Sequence, residues 1–153
     1  MKYSIDTSSI LHAWRRAYPP EAFPSFWDKI HGLIDRGDLR ASQTVFMDLE
    51  RKDDEVLKWG KDHSDLFVPI DDEIQRVVSE IVGQFPGLVD VARTRSQADP
   101  FVIALAEIEN CTVVTNELAS GKPGKPKIPD VCRSLQIPCI PILELITREE
   151  WKF

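Results

Sequence analysis

The stretch KYSIDTSSI, residues 2–10, predicts a buried strand that passes directly into a helix. Tyr3 and Ile5 favour a strand, Asp6 follows where the apolar run stops, and the Thr-Ser-Ser that comes next suits a helix start. Apolar residues then recur at helical spacing up to Trp14. Ligands of open α/β sheets bind beyond the carboxyl ends of the strands, so Asp6 stands at a position typical of a functional site. The alternative is that Asp6 only caps the helix.

Length and composition are those of one ordinary domain spanning residues 1–153, with 42% hydrophobic residues available for a core. The net charge of −6 argues against a protein that coats nucleic acid through bulk charge. It does not exclude an enzyme that acts on nucleic acid, because bound cations can offset carboxylates. The chain has no secretory signal, no membrane-length apolar run and no CxxC pair, so we expect a cytoplasmic protein with reduced thiols and no membrane contact.

Strand-like and helix-like segments alternate along the chain. This order predicts an α/β fold: a three-layer sandwich around a central, mainly parallel sheet of four to five strands. After the first strand, we predict strands at residues 39–41, 66–70, 111–115 and 137–142. Prolines place the strands at 66–70 and 137–142 at sheet edges. Predicted helices occupy residues 25–36, 43–60, 72–82, 88–95, 99–110 and 128–135, with a flexible loop at 119–127 and a helical turn at 143–147.

Four acidic residues lie at the ends of predicted strands, at the start of a predicted helix or among the apolar positions of a predicted helix. Asp6 and Glu117 follow strands, whereas Asp99 is expected as the N-cap of a helix with Pro100 at its first position. In a βαβ unit the helix starts at the edge where the strands end, so these three carboxylates are expected to converge. Asp48 lies among the apolar positions of its helix and needs only to face the same cleft.

Carboxylates held close together repel one another, and a hard divalent cation relieves that repulsion. Mg²⁺ and Mn²⁺ prefer oxygen ligands, keep several waters and bind through one or two carboxylates together with substrate phosphate. Such an ion can activate a water molecule and stabilise charge on a phosphodiester. Convergence of the four acids therefore predicts a metal-dependent site for a phosphate-containing substrate.

Four segments resemble the acidic motifs of PIN domains, the family of VapC-like nucleases: SIDTSSIL, VFMDL, ADPFVIALA and TVVTNE. The resemblance covers nearly the whole chain, and it is strongest to a PIN-like branch that carries Phe26-Trp27 and the segment IPDVC at 128–132. Asp48 stands where the family has a glutamate, and Glu50 is the competing residue for that position. Glu117 stands where many PIN domains carry an aspartate.

The resemblance implies a metal-dependent ribonuclease that hydrolyses RNA phosphodiester bonds, acts as the toxin of a toxin–antitoxin pair, is blocked by an antitoxin protein and can form homodimers. It implies that Asp6, Asp99 and Glu117 hold Mg²⁺ or Mn²⁺. Asp48 would orient or deprotonate the attacking water.

Other residues would support this site. Hydrogen bonds from Ser8 and Thr115 would orient the carboxylates, and Asp130 would be an auxiliary acid. RNA phosphates could be contacted by basic residues near the predicted site, although ordinary surface charge is an equal explanation: Arg93, Arg95, Lys122 and Lys125.

Two other functions compete with the nuclease. The first is another acid-based phosphohydrolase or phosphoacceptor, against which Thr7 and Ser8 count, because such enzymes place a second acid close after the first. The second is a catalytically silent PIN-like binding or interaction module, an alternative kept open by the exchanged acids at Asp48 and Glu117. The tryptophans are interpreted as packing residues, and the histidines, which show no metal-site spacing, as structural or exposed.

Overall fold

The structure is a computed structural model that describes residues 1–89 and 97–153. Within these ranges the strands are β1 Tyr3–Ile5, β2 Leu39–Ser42, β3 Phe67–Val68, β4 Thr112–Val114 and β5 Cys139–Ile140. They form one parallel sheet in the order β3-β2-β1-β4-β5. The prediction of a parallel α/β sheet is confirmed, and so are the edge positions of the two proline-bounded strands, both of which are shorter than predicted.

Strand β1 lies at the centre of the sheet, and its register decides which side chains meet at the sheet edge. Tyr3 pairs with Leu39 on one side and with Thr112 on the other, and Ile5 pairs with Val114. The Asp6 backbone N–H then donates to the Val114 carbonyl at 3.0 Å. The chains that leave β1 and β4 are therefore neighbours at the carboxyl edge.

Helices pack around this sheet to complete a three-layer α/β sandwich. Their bounds in the described residues are α1 Thr7–His12, α2 Pro24–Asp35, α3 Gln43–Lys52, α4 Asp54–Asp62, α5 Asp72–Gln84, α6 Asp99–Glu109, α7 Ile128–Leu135 and α8 Ile142–Arg148. A π-helical turn, Ala13–Ala17, continues α1. No helix in these ranges is long and apolar enough to cross a membrane.

Two helix predictions need correction, and a third cannot be compared with the structure. The single helix expected at 43–60 is two helices, because Asp53 adopts an extended conformation with φ −161° and its carboxylate caps α4. Helix α6 begins at Asp99 itself, so Ala98 is the N-cap and Pro100 is the second residue of the first turn. Residues 86–88 form a 3₁₀ turn, and the helix predicted at 88–95 falls largely on 90–96, outside the described residues.

The aromatic and histidine side chains interpreted as structural do pack together. Trp27 and Trp59 are buried with ring centroids 5.3 Å apart. The Trp59 indole donates to His31 Nε2 at 2.9 Å, and the His31 ring stacks on His63 at 3.9 Å. Burial and the neighbouring His63 lower the pKa of His31, which keeps its ring neutral as an acceptor.

Candidate metal centre

Asp6 stands at the junction of β1 and α1 and is almost completely buried, with 3% of its surface exposed. Its Oδ1 accepts from the Ser9 backbone N–H at 2.8 Å, which caps α1. Its Oδ2 accepts from Thr115 Oγ1 at 2.6 Å, and the Ser8 hydroxyl lies 2.8 Å from the same oxygen. Hydrogen bonds from Ser8 and Thr115 therefore hold the Asp6 carboxylate, and the same carboxylate caps α1.

Burial raises the pKa of Asp6 from its ordinary 3.8 to about 6. Hydrogen bonds from Thr115, Ser9 and Ser8 oppose this rise, whereas the nearby negative charge of Glu117 adds to it. At neutral pH the site therefore holds a carboxylate whose charge is only partly compensated by its neighbours. A cation placed against it would be favoured on electrostatic grounds.

Asp48 is buried on α3 and is tied to the segment that follows Asp6. Its Oδ2 accepts from Thr7 Oγ1 at 2.8 Å, and its Oδ1 lies 2.7 Å from Nη2 of Arg51. Glu50, two residues further along the helix, is exposed to solvent. The geometry favours Asp48 over Glu50 as the acid that faces Asp6.

Asp99 lies at the same end of the sheet as Asp6. The Ser4 hydroxyl donates to the Val102 carbonyl at 2.8 Å, which fixes α6 against β1. From that contact, β1 runs two residues forward to Asp6, and α6 runs about one turn back to Asp99. Asp99 is 8% exposed, and Gln97, two residues before it, lines the same cavity as Asp48.

Glu117 follows β4 and joins the site to the start of α7. Its backbone N–H donates to Thr115 Oγ1 at 3.1 Å, and its Oε2 accepts from the Ile128 N–H at 3.2 Å. The Asn116 N–H donates to Ser8 Oγ at 3.2 Å. The segment after β4 is therefore bonded directly to the segment after β1.

Asp130 holds a loop. Its carboxylate accepts from the backbone N–H groups of Ser120 and Lys127 at 2.8 Å, and from that of Gly121 at 3.3 Å. These bonds lower its pKa. The loop predicted to be flexible is tied to α7, and it presents Lys122 and Lys125 to solvent.

Not every predicted residue can be placed, and sequence reasoning missed two contacts. Arg93 and Arg95 lie outside the described residues. Thr7 and Arg51 hold the two oxygens of Asp48; Thr7 was considered only as part of the first motif, and Arg51 was not singled out. Arg51 could have been found from its spacing, because residues three apart on a helix are neighbours.

The acids fit a hard divalent cation in their chemistry. Across residues 1–89 and 97–153 no three His, Cys, Asp or Glu side chains are grouped closely enough to enclose a metal ion by themselves. Mg²⁺ does not need such a cage, since it keeps several waters and binds through one or two carboxylates. Asp6 with Glu117 close by is a donor set of that kind, all oxygen and negatively charged.

Comparison with known proteins places this chain in a family and identifies its fold. The model of a family described as "Domain of unknown function (DUF4411)" matches residues 3–153. A solved structure, described as VapBC2 from Rickettsia felis bound to a DNA fragment from their promoter, contains a chain with 19% identity. The match covers 83% of this chain and 97% of that one, with a TM-score of 0.54, and shows a PIN/VapC-like fold. No curated protein matches the sequence.

Proposed function

This chain belongs to the DUF4411 family, and we propose that it is a cytoplasmic, divalent-metal-dependent endoribonuclease that hydrolyses RNA phosphodiester bonds. The observation that carries the proposal is Asp6: a buried carboxylate at the carboxyl edge of a PIN/VapC-like sheet, with its pKa raised by burial and by Glu117. A buried carboxylate whose pKa is raised in this way is typical of a functional site.

Asp6 and Glu117 would hold Mg²⁺ or Mn²⁺ together with water molecules, and Asp99, at the same end of the sheet, would complete the ligand set that the family resemblance implies. When bound, the cation would neutralise charge that develops on the phosphodiester during cleavage. The hydroxyls of Ser8 and Thr115 orient the Asp6 carboxylate, so that little reorganisation is needed on binding. Glu117 stands where many PIN domains have an aspartate. The glutamate side chain is longer but carries the same charge.

Asp48 would orient the attacking water and accept its proton. The carboxylate is fixed from one side by a hydrogen bond from Thr7, the residue that directly follows Asp6. A general base must lie within hydrogen-bond reach of the proton that it takes, and a fixed carboxylate meets that need better than a mobile one.

We also propose that the protein is the toxin of a toxin–antitoxin pair, able to associate with a second copy of itself. Support comes from the fold it shares with VapBC2, a complex whose structure was determined bound to a DNA fragment from their promoter. The partner would be a cognate antitoxin protein that blocks the acidic site.

The first test is the effect of Mn²⁺ on the melting temperature. Metal that binds only the folded state stabilises it by about 3 kcal/mol at a hundredfold excess over Kd, so Tm should rise by roughly 5–10 °C. Asp6→Asn should abolish the rise. The matched control is Asp71→Asn, because Asp71 caps α5 through the Ile74 N–H at 2.8 Å just as Asp6 caps α1, but from an exposed position.

The second arm of the test is cleavage of a panel of RNAs by the same proteins. Wild type and Asp71→Asn should cleave, and Asp6→Asn should not. A folded wild type whose Tm does not respond to millimolar Mn²⁺ would contradict the metal site. Metal binding without cleavage of any RNA would favour the silent binding module.

A further inference from the structure

We propose that Arg51 contacts a phosphate of the bound RNA, in the cavity between α3 and the start of α6. The inference rests on the proposed function for its substrate class and adds a subsite to it. Arg51 is a positively charged side chain next to the acidic residues of the proposed site, and it belongs to none of the four acidic motifs.

The ion pair of Arg51 has one buried and one exposed partner. Its Nη2 lies 2.7 Å from Asp48 Oδ1; the Asp48 side chain is 3% exposed and that of Arg51 is 59% exposed. One nitrogen of the guanidinium is thus held against the protein, while the side chain as a whole stays largely exposed. A guanidinium carries five N–H donors in a planar fork that matches phosphate oxygens, so one anchoring bond leaves donors for a second anion.

The ion pair between Arg76 and Glu80 shows what an ordinary surface pair looks like in this chain. Its Nη1–Oε1 distance is 2.9 Å, and both side chains are 62% exposed. Neither partner is fixed by burial, and pairs of this kind contribute little to stability. Arg51 differs because its partner is immobile, so its orientation is set before RNA arrives and less side-chain entropy is lost on binding.

Arg51 lies on the wall of a cavity of about 410 Å³ that also includes Thr44, Met47 and Gln97. Met47 is 52% exposed although it is a large apolar residue, and it lies one turn of α3 before Arg51. A nucleotide suits this combination, with its phosphate on the guanidinium and its base against the thioether. The Glu50 carboxylate on the same wall is exposed, so water and salt screen its repulsion.

The test is the salt dependence of RNA binding. Fluorescence anisotropy would follow a short, fluorescein-labelled single-stranded RNA in EDTA, where no metal supports cleavage, over a range of KCl from about 20 mM upward. Each phosphate contact to a single strand contributes about 0.7 to the slope of log K against log salt concentration. Arg51→Gln should weaken binding about tenfold and lower that slope by about 0.7.

Two variants separate a phosphate contact from a structural role. Arg51→Lys should keep the slope because it keeps the charge, and Arg76→Gln should change neither affinity nor slope. Gln at position 51 can still donate to Asp48, and equal melting temperatures would show that each variant is folded. An unchanged slope in Arg51→Gln, or no RNA binding by wild type at the lowest salt, would overturn the proposal.

The outcome also separates this inference from the nuclease itself. If wild type binds Mn²⁺ and cleaves RNA while Arg51→Gln keeps the wild-type slope, the subsite is wrong and the nuclease stands. If the salt-dependence slope falls in Arg51→Gln but Mn²⁺ does not change the Tm of wild type, the contact between Arg51 and RNA is supported. The proposal of a metal-dependent nuclease is then wrong.

Discussion

Asp6 is ionised at neutral pH only at a cost in folding free energy. Its hydrogen bonds recover part of that cost, but the net effect of burial is a pKa of about 6 in the metal-free protein. The same carboxylate caps α1, so it cannot be removed without affecting the first turn of that helix. The Asp6 side chain therefore contributes both to the stability of α1 and to the proposed metal site.

The pH dependence of stability should reveal this cost. Because the pKa of Asp6 is higher in the folded chain than in the unfolded one, the folded state holds the proton more tightly. The resulting stabilisation is complete below about pH 4 and is lost as pH rises through about 6. In EDTA, wild type should lose about 3 kcal/mol relative to Asp6→Asn between about pH 4 and about pH 8.

Urea unfolding of both proteins across that range gives the measurement, with Asp71→Asn as the control for loss of a helix cap. The difference between wild type and Asp71→Asn should not follow the same curve. A constant difference between wild type and Asp6→Asn at all pH values would show that Asp6 has an ordinary pKa.

Among the secondary-structure elements, the turn after α5 bears on the loop that carries Lys122 and Lys125. Gly87 lies in this turn, and a Cβ added there would collide with the backbone carbonyl of Gly124 and come within 3.0 Å of Pro126 Cδ. The backbone at Gly124 cannot move aside as easily as a flexible side chain could. The loop that follows Glu117 is therefore fixed from two sides, by Asp130 and by the turn at Gly87.

A pair of glycine substitutions tests this packing. Gly87→Ala should destabilise the protein by about 2 kcal/mol and expose the lysines of the loop to trypsin, because the two backbones must separate. Gly83→Ala, inside α5, meets no heavy atom within 4 Å and should stabilise by about 0.5–1 kcal/mol through helix propensity. Equal stability of the two variants in thermal unfolding would contradict the close contact.

For the whole molecule, a net charge of −6 must be reconciled with an RNA substrate. The acids at the carboxyl edge add to the repulsion of phosphate, and the exposed lysines of one loop offset it only in part. In the proposed function, a divalent cation reverses the sign of the potential where RNA must approach.

Mn²⁺ should therefore strengthen RNA binding at constant ionic strength, by roughly tenfold, although added cations weaken most protein–RNA complexes. The Asp48→Asn variant suits this measurement, since it keeps the three proposed metal ligands and lacks the proposed base. Adding Asp6→Asn to it should remove the effect of Mn²⁺, and adding Asp71→Asn should not. Weaker binding in Mn²⁺ would contradict the role given to the acidic edge.

The sequence alone determined the alternation of strands and helices, the edge strands and the placement of Asp6, Asp99 and Glu117 at one end of the sheet. These properties follow from local patterns, because the period of apolar residues and the chemistry of caps and prolines act within a few positions. The parallel topology then brings strand ends to one edge without any knowledge of contacts.

Only the tertiary structure decided which groups compensate the buried charges. The hydrogen bond between Thr115 and Asp6 joins residues 109 positions apart, and the bond between Thr7 and Asp48 joins residues 41 apart. Asp130 likewise accepts hydrogen bonds from the loop that carries Lys122 and Lys125 only because that loop folds back onto α7. Burial and hydrogen bonding between distant segments set the pKa of Asp6 and fix the Asp48 carboxylate against Thr7, and no local pattern contains them.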